Sequence, residues 1–77
     1  MKLSEADYKR LQVVMKEKGF SFYTLHKQGG IPKSTLSRVL NGNVERIELP
    51  TLYEILATMQ VSLGEFFSDN LFELVTD

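Results

Sequence analysis

The reading of this chain turns on residues 20–43, FSFYTLHKQGGIPKSTLSRVLNGN. The stretch divides into two short helical segments about a break at Gln28-Gly29-Gly30. Ser21 is placed to cap the first segment. Gly29 and Gly30 supply the backbone freedom of the turn, because a positive φ costs glycine almost nothing. Ile31 precedes a proline and is pushed out of the α region. Pro32 suits the first helical position, where its missing N–H is not needed, and Asn41-Gly42 is the stop. Phe22, Leu25, Ile31, Leu36, Val39 and Leu40 are spaced so that all can face a common core. Placing Leu36, Val39 and Leu40 inward turns Lys33, Ser34, Ser37, Arg38 and Asn41 outward.

The outward set has a definite chemistry. Lys33 and Arg38 can donate to guanine edges or to phosphates, serines can do either, and Asn41 can pair with adenine or close the helix end. Lys27 and Thr35 extend the set towards the sugar-phosphate backbone. Any one of these residues could be no more than solvated surface. Together, with no acid between Phe20 and Asn43, they favour a helix-turn-helix that enters a DNA groove.

Upstream, Ser4 is a candidate N-cap with Glu5 and Asp7 in the first turn. Tyr8, Leu11, Val14 and Met15 define one buried stripe, and Gly19 is a stop. Lys9, Arg10 and Lys16 fall off the stripe and read as a solvated face. Downstream, residues 43–48 form a loop in which Arg46 could meet a phosphate. A fourth helix begins at Leu49 or Pro50 and buries Leu52, Ile55, Leu56 and Met59. Ser62-Leu63-Gly64-Glu65 matches a capping box and opens a fifth helix, whose Leu63, Phe66 and Phe67 close the core. After Asp69-Asn70, the tail over 70–77 brings Leu71, Phe72, Leu74 and Val75. This extra apolar surface is expected to be a homodimer contact, with packing back on the same chain as the alternative.

Seventy-seven residues allow one domain, 1–77, with a compact all-α five-helix bundle as its expected fold and the helix-turn-helix at about 21–41. There is no cysteine and a single histidine, His26, so no metal site and no cofactor is expected. The start lacks the apolar run of a signal peptide, and no later run reaches membrane-spanning length; a soluble, cytoplasmic protein without membrane contact is the expectation. The net charge of −1 hides a division. Residues 1–46 hold all nine bases against four acids, a surplus of five, and residues 47–77 hold six acids and no base. One end can approach phosphates while the other is held away from them. Catalysis is not expected: acids are sparse near His26, no serine sits in a nucleophile elbow, and Gly29-Gly30 is too short to cradle phosphates.

These residues resemble the lambda-repressor-like helix-turn-helix family of the Cro/repressor (XRE) type. The resemblance covers about Tyr8 to Phe67. It rests on Leu25 followed by Gly30, on IPKSTLSRVLNG from Ile31, on Leu52-Tyr53-Glu54-Ile55-Leu56, and on VSLGEFF from Val61. It implies that residues 32–40 form the recognition helix, with Lys33, Ser34, Ser37 and Arg38 at positions that meet bases or nearby phosphates. It also implies backbone-contacting positions at Ser21, Phe22, Tyr23, Asn41 and Asn43. Members are typically transcription regulators that bind palindromic operators as dimers, many of them in phages, mobile elements or antitoxin systems. Two positions depart from the pattern. Phe22 stands where a glutamine often braces phosphate and base contacts. His26 stands where alanine is usual because two helices cross closely. It either reaches a phosphate or lies partly buried, bonded to backbone.

The function expected on these grounds is sequence-specific regulation of transcription through double-stranded DNA, with repression the expected mode. The alternative is a protein-interaction module, such as an antitoxin or antirepressor, whose protein partner meets the acidic half and the apolar tail.

Overall fold

Gly19 ends the first helix in the left-handed conformation (φ 72°). The Phe20 N–H reaches back to the Met15 carbonyl at 2.9 Å, which satisfies a carbonyl that the helix itself cannot. This helix, α1, spans Leu3–Lys18. It starts one residue before Ser4, and the cap position falls on Lys2 without any side-chain bond, so Ser4 is not the cap. The computed structural model of the chain describes residues 1–42 and 46–76. Among them follow α2 (Phe22–Gly29), α3 (Lys33–Leu40), α4 (Leu49–Thr58), α5 (Leu63–Phe67) and a 3-10 turn over Asn70–Leu74, with no strand.

The helices share one core. Leu11, Val14 and Met15 of α1 meet Leu25 of α2, Ile31 of the turn, and Leu36 and Val39 of α3. Leu52, Ile55 and Leu56 of α4, with Met59, Val61 and Phe66, complete it. Each fully buried large apolar side chain contributes about 1.5–3 kcal/mol relative to leaving it in water. Phe22 is not part of this core: it is 36% exposed at the start of α2. Phe67 too is only partly covered.

The two turn glycines have different jobs. Gly30 has φ 66° and donates its N–H to the His26 carbonyl. Gly29 is helical, and its missing side chain is what matters. A Cβ there would collide with Thr58 Oγ1 and lie 3.2 Å from Ile31 Cδ1. Thr58 cannot easily turn away, because its hydroxyl donates to the Glu54 carbonyl at 2.9 Å. Gly29 therefore sets how closely α2 packs on α4.

Arg10, expected on the solvated face of α1, is instead a strut. Its Nε donates to the Phe66 carbonyl at 2.9 Å and its Nη2 to the Glu65 carbonyl at 3.2 Å. Its Nη1 lies 3.5 Å from the Asp69 carboxylate. A guanidinium at the C-terminal end of a helix satisfies free carbonyls and meets the negative end of the dipole. The tail continues this closure. Phe72 stacks against Phe66 and Phe67 with centroids 5.6 and 4.9 Å apart, and the 3-10 turn packs on α1. The Thr76 N–H bonds to the Met1 carbonyl. The apolar tail thus packs on its own chain, and only Leu74, 58% exposed, stands well out of it.

Candidate nucleic-acid interface

Ser21 opens α2 with a reciprocal cap. Its Oγ accepts from the Thr24 N–H at 3.2 Å, and Thr24 Oγ1 accepts from the Ser21 N–H at 2.7 Å. Thr24 was not legible as the partner, since the usual residue three positions after the cap is Glu or Gln. Both the amide and the hydroxyl of Ser21 are therefore engaged within the chain. Phe22 and Tyr23 follow in the first turn, Tyr23 being 59% exposed. One turn on, Lys27 carries its ammonium 6.0 Å from the Tyr23 ring centroid.

The recognition segment begins one residue later than expected. Pro32 occupies the cap position with extended ψ (141°), and α3 proper starts at Lys33. Leu36 and Val39 face the core, and the outward face is the one the 3.6-residue period demands. Lys33, Ser34, Ser37, Arg38 and Asn41 are all exposed, and Thr35 is half-buried. Asn41 Nδ2 bonds to Ser37 Oγ at 3.3 Å, so those two side chains hold each other at the end of the helix. Among the described residues, Lys27, Lys33 and Arg38 have no ion-pair partner. Asn43, expected beside Asn41, lies outside the described residues.

His26 answers the question its position raised. Its ring lies half-buried against the turn, with Nδ1 2.7 Å from the Ile31 carbonyl oxygen. A carbonyl can only accept, so Nδ1 carries the proton. The crossing of α2 and α3 accommodates the ring by giving it a backbone partner.

Acids are kept to the other elements. Glu48, Glu54, Glu65 and Glu73 are exposed along α4, α5 and the tail. The remaining unusual acid is Asp7, on the core side of α1. It is 4% exposed, its Oδ1 has no hydrogen-bond partner among the described residues, and burial raises its pKa from 3.8 to about 6. Its neighbours on the helix, Ala6 and Leu11, are wholly buried, so the surroundings offer little to a charge.

Among the described residues no group of three His, Cys, Asp or Glu is placed to hold a metal ion, and no helix is long and apolar enough to cross a membrane. Compared with known proteins, residues 10–71 match the model of the family described as the Cro/C1-type HTH DNA-binding domain. No curated protein and no solved structure matches the chain.

Proposed function

The chain belongs to the Cro/C1-type helix-turn-helix DNA-binding family, and from that premise we propose that it is a sequence-specific transcriptional regulator. In this reading it represses by occupying a palindromic operator as a dimer. Phosphate contacts supply most of the affinity and the outward face of α3 chooses the sequence. The observation that carries the reading is the exposed set Lys33, Ser34, Ser37 and Arg38 on a helix pinned from behind by Leu36 and Val39. Lys27, Tyr23 and Phe22 lie on the neighbouring helix, where they would meet the backbone. Leu74 is the tail's remaining exposed candidate for a dimer contact, since Phe72 is taken up by Phe66 and Phe67.

The test is selection of binding sites from random duplexes with the purified protein, followed by titration at several salt concentrations. Lys33→Ala should weaken binding by about 1–3 kcal/mol and relax one base position, while Lys27→Ala should weaken all sequences alike and lower the salt slope. If neither change affects binding, α3 is not the element in the groove.

One observation favours the second reading, a protein-interaction module. Leu49 and Tyr53, one turn apart on α4, are each more than half exposed beside Glu48 and Glu54. Co-purification of a protein partner by this face, with no retention on DNA, would select that reading.

A further inference from the structure

We infer that His26 is a positioning residue for sequence discrimination: its ring fixes the angle at which α3 leaves the turn, and so which base edges α3 can meet. The inference rests on the DNA-binding reading and deepens it.

Between the end of α2 and the start of α3 lie Gly30, Ile31 and Pro32. Pro32 brings no N–H and no side-chain cap. Ile31 is anchored by a side chain only 2% exposed, and its carbonyl is held by His26 Nδ1 at 2.7 Å. The same His26 accepts the Gly30 N–H through its own carbonyl at 3.0 Å. One residue thus grips both sides of the turn. Among the described residues it makes the only side-chain hydrogen bond from α2 to the turn that leads into α3.

Apolar burial does not replace this bond. Leu36 and Val39 hold α3 against the core, but hydrophobic contact is non-directional. It holds the inner face of α3, while the His26 bond fixes the Ile31–Pro32 peptide plane from which the helix departs. Arg38 lies five residues beyond Lys33, about 7.5 Å along the axis. A swing of about 10° at the turn would move it by about 1.3 Å over that length. A hydrogen bond to a base edge does not survive such a shift, whereas a flexible lysine such as Lys27 still reaches a phosphate. Loss of the His26 bond should therefore cost discrimination and spare general affinity.

The experiment compares His26→Ala, His26→Asn and His26→Gln for binding to a selected operator and to an unrelated duplex, at a temperature where melting shows each variant folded. The amide nitrogen of Asn lies where Nδ1 does and can donate to Ile31, while that of Gln lies one atom further out. His26→Ala and His26→Gln should lower the ratio of specific to non-specific binding about tenfold, the equivalent of one hydrogen bond. His26→Asn should restore most of it, and the salt slope should stay the same in all three. An unchanged ratio in His26→Ala overturns the inference, as does equal loss in His26→Asn and His26→Gln, or a parallel loss of both kinds of binding. Nitrogen-15 NMR of the wild-type ring separates this from the parent reading. A neutral imidazole protonated at Nε2 sinks the positioning role and leaves DNA binding standing. A wild type that binds all duplexes equally sinks both.

Discussion

At the end built from α1, α5 and the C-terminal turn, Arg10 is held by two carbonyls and the Asp69 carboxylate. At the end built from α2 and α3, Lys27, Lys33 and Arg38 reach solvent, and among the described residues none of them has an ion-pair partner. The sign of the charge is the same and the use is opposite. What differs is the supply of acceptors: a short helix ends against Arg10, while among the described residues no carboxylate pairs with the outward face of α3. A cation whose acceptors come from its own fold stabilises that fold. A cation left without them keeps its hydrogen-bonding capacity for a partner. The two ends should therefore separate cleanly by experiment, stability changing at one and DNA binding at the other.

The largest effect should come from Asp7, in the stabilising end. Its folded-state pKa, about 6, lies above the ordinary 3.8, so between those values the folded state binds more protons than the unfolded chain. Stability from this group is then fully present below pH 3.8 and is lost as pH rises through 6, by up to about 3 kcal/mol. Against Asp7→Asn, wild type should be equally stable near pH 4 and clearly less stable at pH 7. Urea melts across that range read the difference. A gap that does not grow with pH would show that the carboxylate is solvated in the folded protein.

Arg10→Ala comes next, at about 2 kcal/mol of lost stability, because it removes the charged donor from the Phe66 carbonyl, leaves the Glu65 carbonyl to Ser68 and breaks the pair with Asp69. Binding to DNA, measured where the variant is folded, should keep its salt slope. A lower slope would mean that Arg10 also faces phosphates, and the division between the two ends would fail. Arg38→Ala is the mirror experiment. It should weaken operator binding by about 1–2 kcal/mol and leave the melting temperature unchanged, since the side chain has no ion-pair partner among the described residues.

The sequence made one end more legible than the other, for a physical reason. Ser21, Gly30 and the Asn41-Gly42 stop announce themselves through backbone geometry that few residue types satisfy, and Leu36 and Val39 through their period. So the helix-turn-helix, and the outward placement of Lys33, Ser34, Ser37 and Arg38, are legible in the sequence alone. The strut at Arg10 could not, because its partners lie 55 and 56 residues away and are backbone carbonyls, which every residue has. Gly29 was misread for a related reason. Two adjacent glycines look alike in sequence, but one is needed for its φ and the other for the space that Thr58 occupies. The direction of the tail was open for want of any local signal: Leu71, Phe72, Leu74 and Val75 are apolar whichever chain covers them. His26 was half legible. Its burial followed from the helix crossing, but the identity of its acceptor needed the turn itself.

The smallest effect tests the backbone alone. Gln60 ends α4 at φ 60°, the one positive φ outside glycine among the described residues. It stays there because its N–H bonds to Ala57 and the next N–H, of buried Val61, reaches the Leu56 carbonyl at 2.9 Å. Gly19 closes α1 in the same way, and nothing lies within 4 Å of where its Cβ would be. Gly19→Ala therefore measures the cost of a left-handed side chain with no steric contribution, about 1 kcal/mol. Gln60→Gly should recover part of the same quantity, about 0.5 kcal/mol once the added freedom of the unfolded chain is subtracted. The two variants should move the melting temperature in opposite directions and leave DNA binding alone. If Gln60→Gly instead lowers it, the exposed Gln60 side chain contributes more than its backbone strain costs, and the end of α4 is held by more than its backbone hydrogen bonds.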